Sequence, residues 1–326
     1  MENLGIKQEG REHREVSRRG TRSAAGSRAR LLAASLTALI GTGAAQGLNG
    51  ATSIDVGGYK LYVECDGTSK KPTLLFLSGT APMMGAWLAS PAASRTDART
   101  CWSTTAGVLP SEAPPRVTDG LTRAEDLARA LERAGERGPF VLVTYGFGSQ
   151  IARLFADRHA NQVAGMVLVN PWQEDTAQAI ARFFSQHPWK ANGTLAPALQ
   201  DVAFLQSFSR SYASPNGGIL TDARWNLRAG DEQTRRAKSL GSLPLVVVTP
   251  MLDAFTIAQD TANVAAGQQL WKVLAAQQTK LVKLSTRGTQ LFSDRSWDMV
   301  QNEDPDLVTR AIDRVLSQVT TTSTSR

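Results

Sequence analysis

Nucleophilic and acid–base chemistry needs a hydroxyl, thiol or carboxylate held beside a base. This chain of 326 residues holds only three histidines. His13 lies in a basic N-terminal tail, His159 ends a helical run, and His187 sits in an aromatic-rich stretch. The other side chains placed to do chemistry are Tyr145, Ser149, Asp253 and Asp298. Tyr145 is a candidate proton donor, although an aromatic residue beside Gly146 serves equally well to fill space. Ser149 falls inside a helical run with Phe147 and Ile151 two residues to either side, so it lacks the small neighbours that a sharp nucleophile-bearing turn needs. Asp253 and Asp298, if they meet, would raise one another's pKa or attract a cation. Asp253 is also a natural cap for a following helix. The two cysteines, Cys65 and Cys101, leave their pairing open by number alone.

The elements that must hold these residues are strands alternating with helices. Ser53–Val56 and Lys60–Cys65 flank Gly57 and Gly58 as a hairpin. Thr73–Ser78, Phe140–Tyr145, Val163–Val169 and Pro244–Thr249 are near-continuous apolar runs, the pattern of strands covered on both faces. Gln290–Ser293 is a further strand. Helical spacing covers Thr122–Arg133, Phe147–His159, Asn263–Leu284 and Pro305–Val315. This alternation predicts an α/β fold with a mostly parallel sheet and helices on both faces. Residues 171–242 break the rhythm. They are rich in Trp, Phe, Pro and Gly, and Pro188, Pro197 and Pro215 divide them into short predicted helices, a lid over the carboxyl edge of the sheet.

The stretch Phe140–His159, FVLVTYGFGSQIARLFADRH, resembles the strand–turn–helix nucleophile elbow of the α/β-hydrolase superfamily, whose usual form is G-x-S-x-G. The resemblance continues in order over roughly Ser53–Gln318. Gly79 stands where these enzymes carry the oxyanion loop, and Ala98–Gly107 matches the next strand and loop. VAGMVLVN matches a core strand, LPLVVVTPMLD the acid-bearing strand, and SWDMVQNEDPDLV the segment that presents the histidine. It implies an eight-stranded sheet divided into core residues 53–170, a helical lid at 171–242 and core residues 243–319; the Thr/Ser-rich end at 320–326 reads from its composition as a disordered tail.

Residue by residue, the resemblance places Thr144 at the first glycine of the motif, Gly146 at the nucleophile and Gly148 at the last glycine. Glycine has no side chain with which to attack an acyl carbon. Asp298 stands where the family writes histidine, and none of the three histidines substitutes for it. Asp253 matches the family's acid, but a carboxylate without its histidine orients nothing. In the oxyanion loop, Ser78-Gly79-Thr80-Ala81 keeps a single glycine, whose neighbouring N–H groups are still able to bind. Ser103-Thr104-Thr105 replaces the polar pair that precedes Ala106-Gly107 in the family's pattern. In this fold the strands bearing Cys65 and Cys101 are neighbours, so a disulfide is expected, with two buried thiols as the alternative.

Composition limits the rest. Apolar residues make up 42% and charged residues 20%, values that exclude fibrous and wholly disordered classes. The net charge is +7, and Met1–Arg30 alone carries eight basic against four acidic residues. The body lacks a basic stripe interleaved with aromatics, so nucleic acid is not an expected partner. Residues 1–52 combine this tail with the uncharged Leu31–Ala45, the length of a signal-peptide core. A cleaved export signal and a retained anchor both fit, with membrane association through 31–53 in the second case, and a disordered cytosolic tail is the third reading. Either of the first two gives the expected extracytoplasmic location, secreted or anchored. Asn192-Gly193-Thr194 is a glycosylation sequon.

The expected function is a pseudoenzyme that binds a small apolar molecule or a protein partner, with no cofactor and no metal. Its candidate pocket is Gly79, Thr80, Tyr145, Phe147, Trp172 and Trp297. The alternatives are non-hydrolytic chemistry, such as a lyase, isomerase or cyclase, and an esterase-like serine hydrolase.

Overall fold

Apolar runs bounded by glycine, proline or charge build the centre of an eight-stranded sheet. The computed structural model describes residues 48–67, 72–79, 87, 90–93, 97–187, 202–203, 207–208, 211–213, 219–252 and 264–324. The chain divides into two units, Met1–Gly43 and Ala44–Arg326, and all described residues belong to the second. Thr80, Asp253, the sequon at Asn192 and the tail through residue 47 lie outside the described residues.

The core strands are β1 (Gly50–Asp55), β2 (Lys60–Asp66), β3 (Thr73–Leu77), β4 (Thr100–Ser103), β5 (Phe140–Tyr145) and β6 (Val163–Val169). The helices between them are α1 (Gly120–Arg133) and α2 (Gly148–Arg158). Between Pro171 and Ser242 come α3 (Thr176–Gln186), β7 (Ser207–Phe208), β8 (Ser211–Ala213), β9 (Ile219–Asp222), β10 (Trp225–Asn226) and α4 (Leu227–Arg236). The core then resumes with β11 (Leu245–Pro250), α5 (Val264–Val282), β12 (Gly288–Ser293), α6 (Val300–Glu303) and α7 (Pro305–Thr324).

The sheet order is β1-β2-β4-β3-β5-β6-β11-β12, antiparallel through β1, β2 and β4 and parallel from β4 onward. Strand alternation sends Leu75, Leu77, Phe140, Leu142 and Met166 to one face, against α1 and α2. Leu74, Phe76, Val141, Val143 and Tyr145 go to the other, against α7. Both faces are buried, so the strands read as continuous apolar runs.

Three boundaries differ from the sequence expectation. Gly50–Ser53 is part of β1, paired with Cys65–Tyr62 of β2, and Leu48 N–H donates to Ala134 O at 3.1 Å. Gly50–Ser53, the end of the expected 31–53 stretch, therefore belong to the sheet, because the alternating pattern of Thr52 and Ile54 places these residues in a half-buried strand. The last helix runs through Thr324, where fraying from Thr320 was expected; once a helix is nucleated, each added residue costs little. The insertion is mixed rather than helical. β8 pairs with β9 and β10 with β7, because short runs of β-branched and aromatic residues favour pairing over helix. Among the described residues, no helix is long and apolar enough to cross a membrane.

Backbone contacts anchor the insertion to the core. Asp222 N–H donates to Gly107 O at 2.6 Å, and a Cβ on Gly107, whose φ is +77°, would lie 2.1 Å from Asp222 O. Only glycine fits there. The buried Arg123 donates to Ala106 O and Ala223 O and stacks on Trp225, 4.5 Å from its ring centre. Burial lowers its pKa to about 10. Cys65 faces Cys101 across the β2–β4 ladder, and their sulfurs are bonded at 2.11 Å.

Candidate functional site

β5 ends in a turn that only glycine adopts easily. Gly146 has φ +56°, and its carbonyl accepts from Ser149 N–H at 3.2 Å and Trp172 N–H at 3.1 Å. These bonds fix the start of α2 and the entry to the insertion on one peptide. Gly79, at the end of β3, packs so closely that a Cβ there would lie 3.1 Å from Phe147 N. A Cβ at Gly146, in contrast, would meet no atom of the described residues within 4 Å. The elbow is tight below and open above.

Above it lies a cavity of about 320 Å³ whose lining includes Gly79, Tyr145, Gly146, Phe147, Trp172 and Asp298. Phe147 and Trp172 form an aromatic wall, their ring centres 4.7 Å apart. Ile180 from α3 and Leu274 from α5 add apolar surface, while Asn170 and Gln278 add amides. Of the expected pocket residues, Trp297 lies elsewhere. It is 42% exposed and lines a neighbouring cavity of about 360 Å³ with Trp271 and Leu270. The two cavities share Asn170, Leu274, Gln278 and Asp298.

Asp298 is the hub of the polar groups. Its Oδ1 accepts from Tyr145 Oη at 2.7 Å and from Asn170 Nδ2 at 2.8 Å, and Gln278 Nε2 donates to Asn170 Oδ1 at 2.7 Å. The loop that carries Asp298 is held by Glu303, whose carboxylate accepts from Ser296 Oγ at 2.5 Å and Trp297 N–H at 3.0 Å. Burial raises the Asp298 pKa above its ordinary 3.8 against the opposing effect of Tyr145 and Asn170, and the Glu303 charge raises it further. Burial and the Asp298 charge push the Tyr145 hydroxyl well above the usual phenol range, so it stays a neutral donor.

The remaining expected reactive groups are committed elsewhere. Ser149 is fully buried and its hydroxyl donates to Trp172 O at 2.8 Å. His159 contacts Glu125 at 3.3 Å and His187 stacks on Phe183, both away from the cavity. Asn170 and Gln278 escaped the sequence reading. Asn170 ends the VAGMVLV strand just before Pro171, at φ +42°, and a polar residue at a strand's carboxyl end was a usable signal. Gln278 sits within a helix with no local mark.

A third set of groups holds the insertion over this site. Gln150 Nε2 and Trp172 Nε1 both donate to the buried Asp231, at 2.9 and 3.1 Å. Arg153 on α2 pairs with Glu174 and donates to Thr234 O at 3.2 Å. The polar face of α2 thus ties down both legs of the insertion.

Sheet order, elbow and insertion define an α/β-hydrolase architecture. The sequence profile of the alpha/beta hydrolase fold matches residues 72–242, and the chain belongs to that family. Among solved structures, a thermophilic esterase from Thermogutta terrifontis superposes with TM-score 0.52 at 17% identity, covering 84% of this chain and 99% of the esterase. An epoxide hydrolase of Bacillus megaterium gives TM-score 0.52 at 16% identity, covering 82% and 100%. An uncharacterized protein of Schizosaccharomyces pombe is 35% identical over 71 residues, 22% of this chain and 13% of that protein. At these identities the solved structures speak for the fold alone.

Proposed function

We propose that this protein is a non-hydrolytic member of the family that binds a small apolar molecule in the cavity above Gly146. The observation that carries the reading is the open space there: the residue at the elbow has no side chain, and none of the described residues fills the place a nucleophile would take. Without an attacking atom, converging backbone N–H groups bind a ligand but form no acyl intermediate. A protein partner at the same cavity mouth is the other occupant of this class.

The reading is tested with a fluorophosphonate probe and an activated ester. The expected outcome is no labelled serine and no burst of nitrophenol. Stoichiometric labelling at any serine restores the esterase-like alternative and overturns the proposal. A second reading, proton-transfer chemistry in a lyase or isomerase, draws on the Tyr145–Asp298 contact. It requires turnover that Tyr145→Phe abolishes, and a ligand recovered unchanged from the purified protein argues against it.

The Cys65–Cys101 pair supports an extracytoplasmic location, since such bonds persist in oxidising compartments. Thiol titration of the unfolded, unreduced protein is expected to find no free thiol. Replacing both cysteines by serine is expected to lower stability by about 4 kcal/mol, the entropy of a loop of this span in the unfolded chain.

A further inference from the structure

The hydrogen bonds around Asp298 have a direction that specifies the ligand's chemistry. An ionised carboxylate only accepts. Asn170 must therefore turn its Nδ2 toward Asp298, which leaves its Oδ1 to accept from Gln278 Nε2. Gln278 in turn is left with Oε1, and this atom is buried without a partner among the described residues, on a residue only 5% exposed. At the other end of the network, both bonds to the Asp298 side chain fall on Oδ1, so Oδ2 is an acceptor with no donor among the described residues. The network thus begins and ends in acceptors, on two residues that line both cavities.

Charge points the same way. Asp298 is the one charged residue among the described residues lining either cavity, and Glu303 at the end of α6 stands behind it, accepting from its N–H. The aromatic pair Phe147–Trp172 lines the cavity that Asp298 faces, and aromatic faces attract cations.

From these observations we propose that the ligand is a hydrophobic amine, bound as its ammonium ion, with N–H donors on Asp298 Oδ2 and Gln278 and its apolar body against Phe147, Trp172 and Ile180. The ammonium would supply the missing donors and a counter-charge in one group, which a neutral alcohol or hydrocarbon of the same shape does not. This inference rests on the ligand-binding reading above and names its chemical class.

Three probes of nearly equal shape separate the possibilities: 2-phenylethylamine, 2-phenylethanol and ethylbenzene, titrated calorimetrically into the full chain. The amine is expected to bind roughly ten-fold more tightly than either neutral probe, the usual gain of a charge-assisted hydrogen bond in a partly desolvated site. Asp298→Asn, which keeps the shape and removes the charge, is expected to erase that preference while the neutral probes bind as before. Ile180→Trp, which fills the cavity from α3, is expected to abolish binding of all three.

Equal affinity for amine and alcohol overturns the ammonium class and leaves the apolar-pocket reading standing. Unchanged amine binding to either variant overturns the placement. Failure of all three probes to bind the unaltered protein overturns the class and the binding reading together.

Discussion

The elbow at Gly146 and the loop that carries Asp298 face the same cavity, yet they are built in opposite ways. At the elbow everything below the backbone is filled: Gly79 and Phe147 are in contact, and the Gly146 carbonyl takes two hydrogen bonds. The side-chain direction is empty. At the loop the side chain is the crowded part, with Tyr145 and Asn170 on one carboxylate oxygen and Glu303 bracing the backbone. The first region is a frame without a reactive group, and the second is a network of side chains that hold one another. Substitutions should therefore be cheap at the first and costly at the second.

The strongest test of that contrast is Asp298→Leu. It leaves the Tyr145 hydroxyl without its acceptor in a largely buried setting and Asn170 Nδ2 with only the backbone carbonyl of residue 298 at 3.1 Å, and a stranded group costs about 1–3 kcal/mol. We expect a loss of about 2–4 kcal/mol in urea unfolding, with the midpoint falling and the slope unchanged. A loss under about 0.5 kcal/mol, the scale of an ordinary surface change, would mean that the loop is no more tightly built than the elbow's open side. Tyr145→Phe sharpens the comparison, since it removes one donor and keeps the ring that packs with Val143 and Phe76. It should cost about 1.5–3 kcal/mol, the worth of a hydrogen bond to a charged group.

Gly146→Ser is the matching change at the elbow. Its Cβ would meet no atom of the described residues within 4 Å, so the cost is that of a non-glycine residue at φ +56°, about 1 kcal/mol. The same kind of change at Gly107, which also has positive φ but lies against Asp222 O, is expected to cost several times more. The serine by itself is expected to give no ester hydrolysis, because no histidine among the described residues lines the cavity. If Gly146→Ser unfolds the protein, the space above the elbow is not open and the binding reading loses its main support.

The contrast also explains what was legible in the sequence. Strands such as TLLFL and FVLVTY are buried on both faces, so unbroken hydrophobicity with glycine or proline at the ends marks them without any tertiary knowledge. The turn at Gly146 is local too, and its strand–glycine–helix pattern shows in the sequence where the backbone must turn. β12 was read only over its last four residues, because Gly288 and Thr289 are half-buried at the sheet edge and carry little apolar signal. The strand pairs of the insertion are two to four residues long, too short for a period to show. In the Asp298 network, Tyr145 and Asp298 stand out singly as candidates, but the bonds that join them to Asn170 and Gln278 could not be read. Its members come from β5, the end of β6, α5 and the loop after β12, and no spacing along the chain relates Tyr145 to Gln278.

The smallest effect expected is a pH dependence that belongs to the loop and is absent from the elbow. In the unfolded chain Asp298 titrates near 3.8, and burial raises its pKa in the folded protein. Below about pH 3.8 the carboxyl is neutral in both states and the fold bears no cost for it. As the pH climbs through the raised value, the unfolded state has released its proton more readily, so the stability contributed by this group falls. Other carboxylates titrate in the same range, and the useful quantity is a difference: the stability of the unaltered protein minus that of Asp298→Asn, followed from pH 3.5 to 7 by urea unfolding. That difference is expected to decline as the pH rises and then level off, whereas Gly146→Ser, which adds no titrating group, should track the unaltered protein throughout. A difference that grows with pH would mean that Asp298 is better stabilised as an anion in the fold than in water. The donors from Tyr145 and Asn170 would then outweigh its burial, and the cavity's demand for a cationic occupant would be correspondingly weaker.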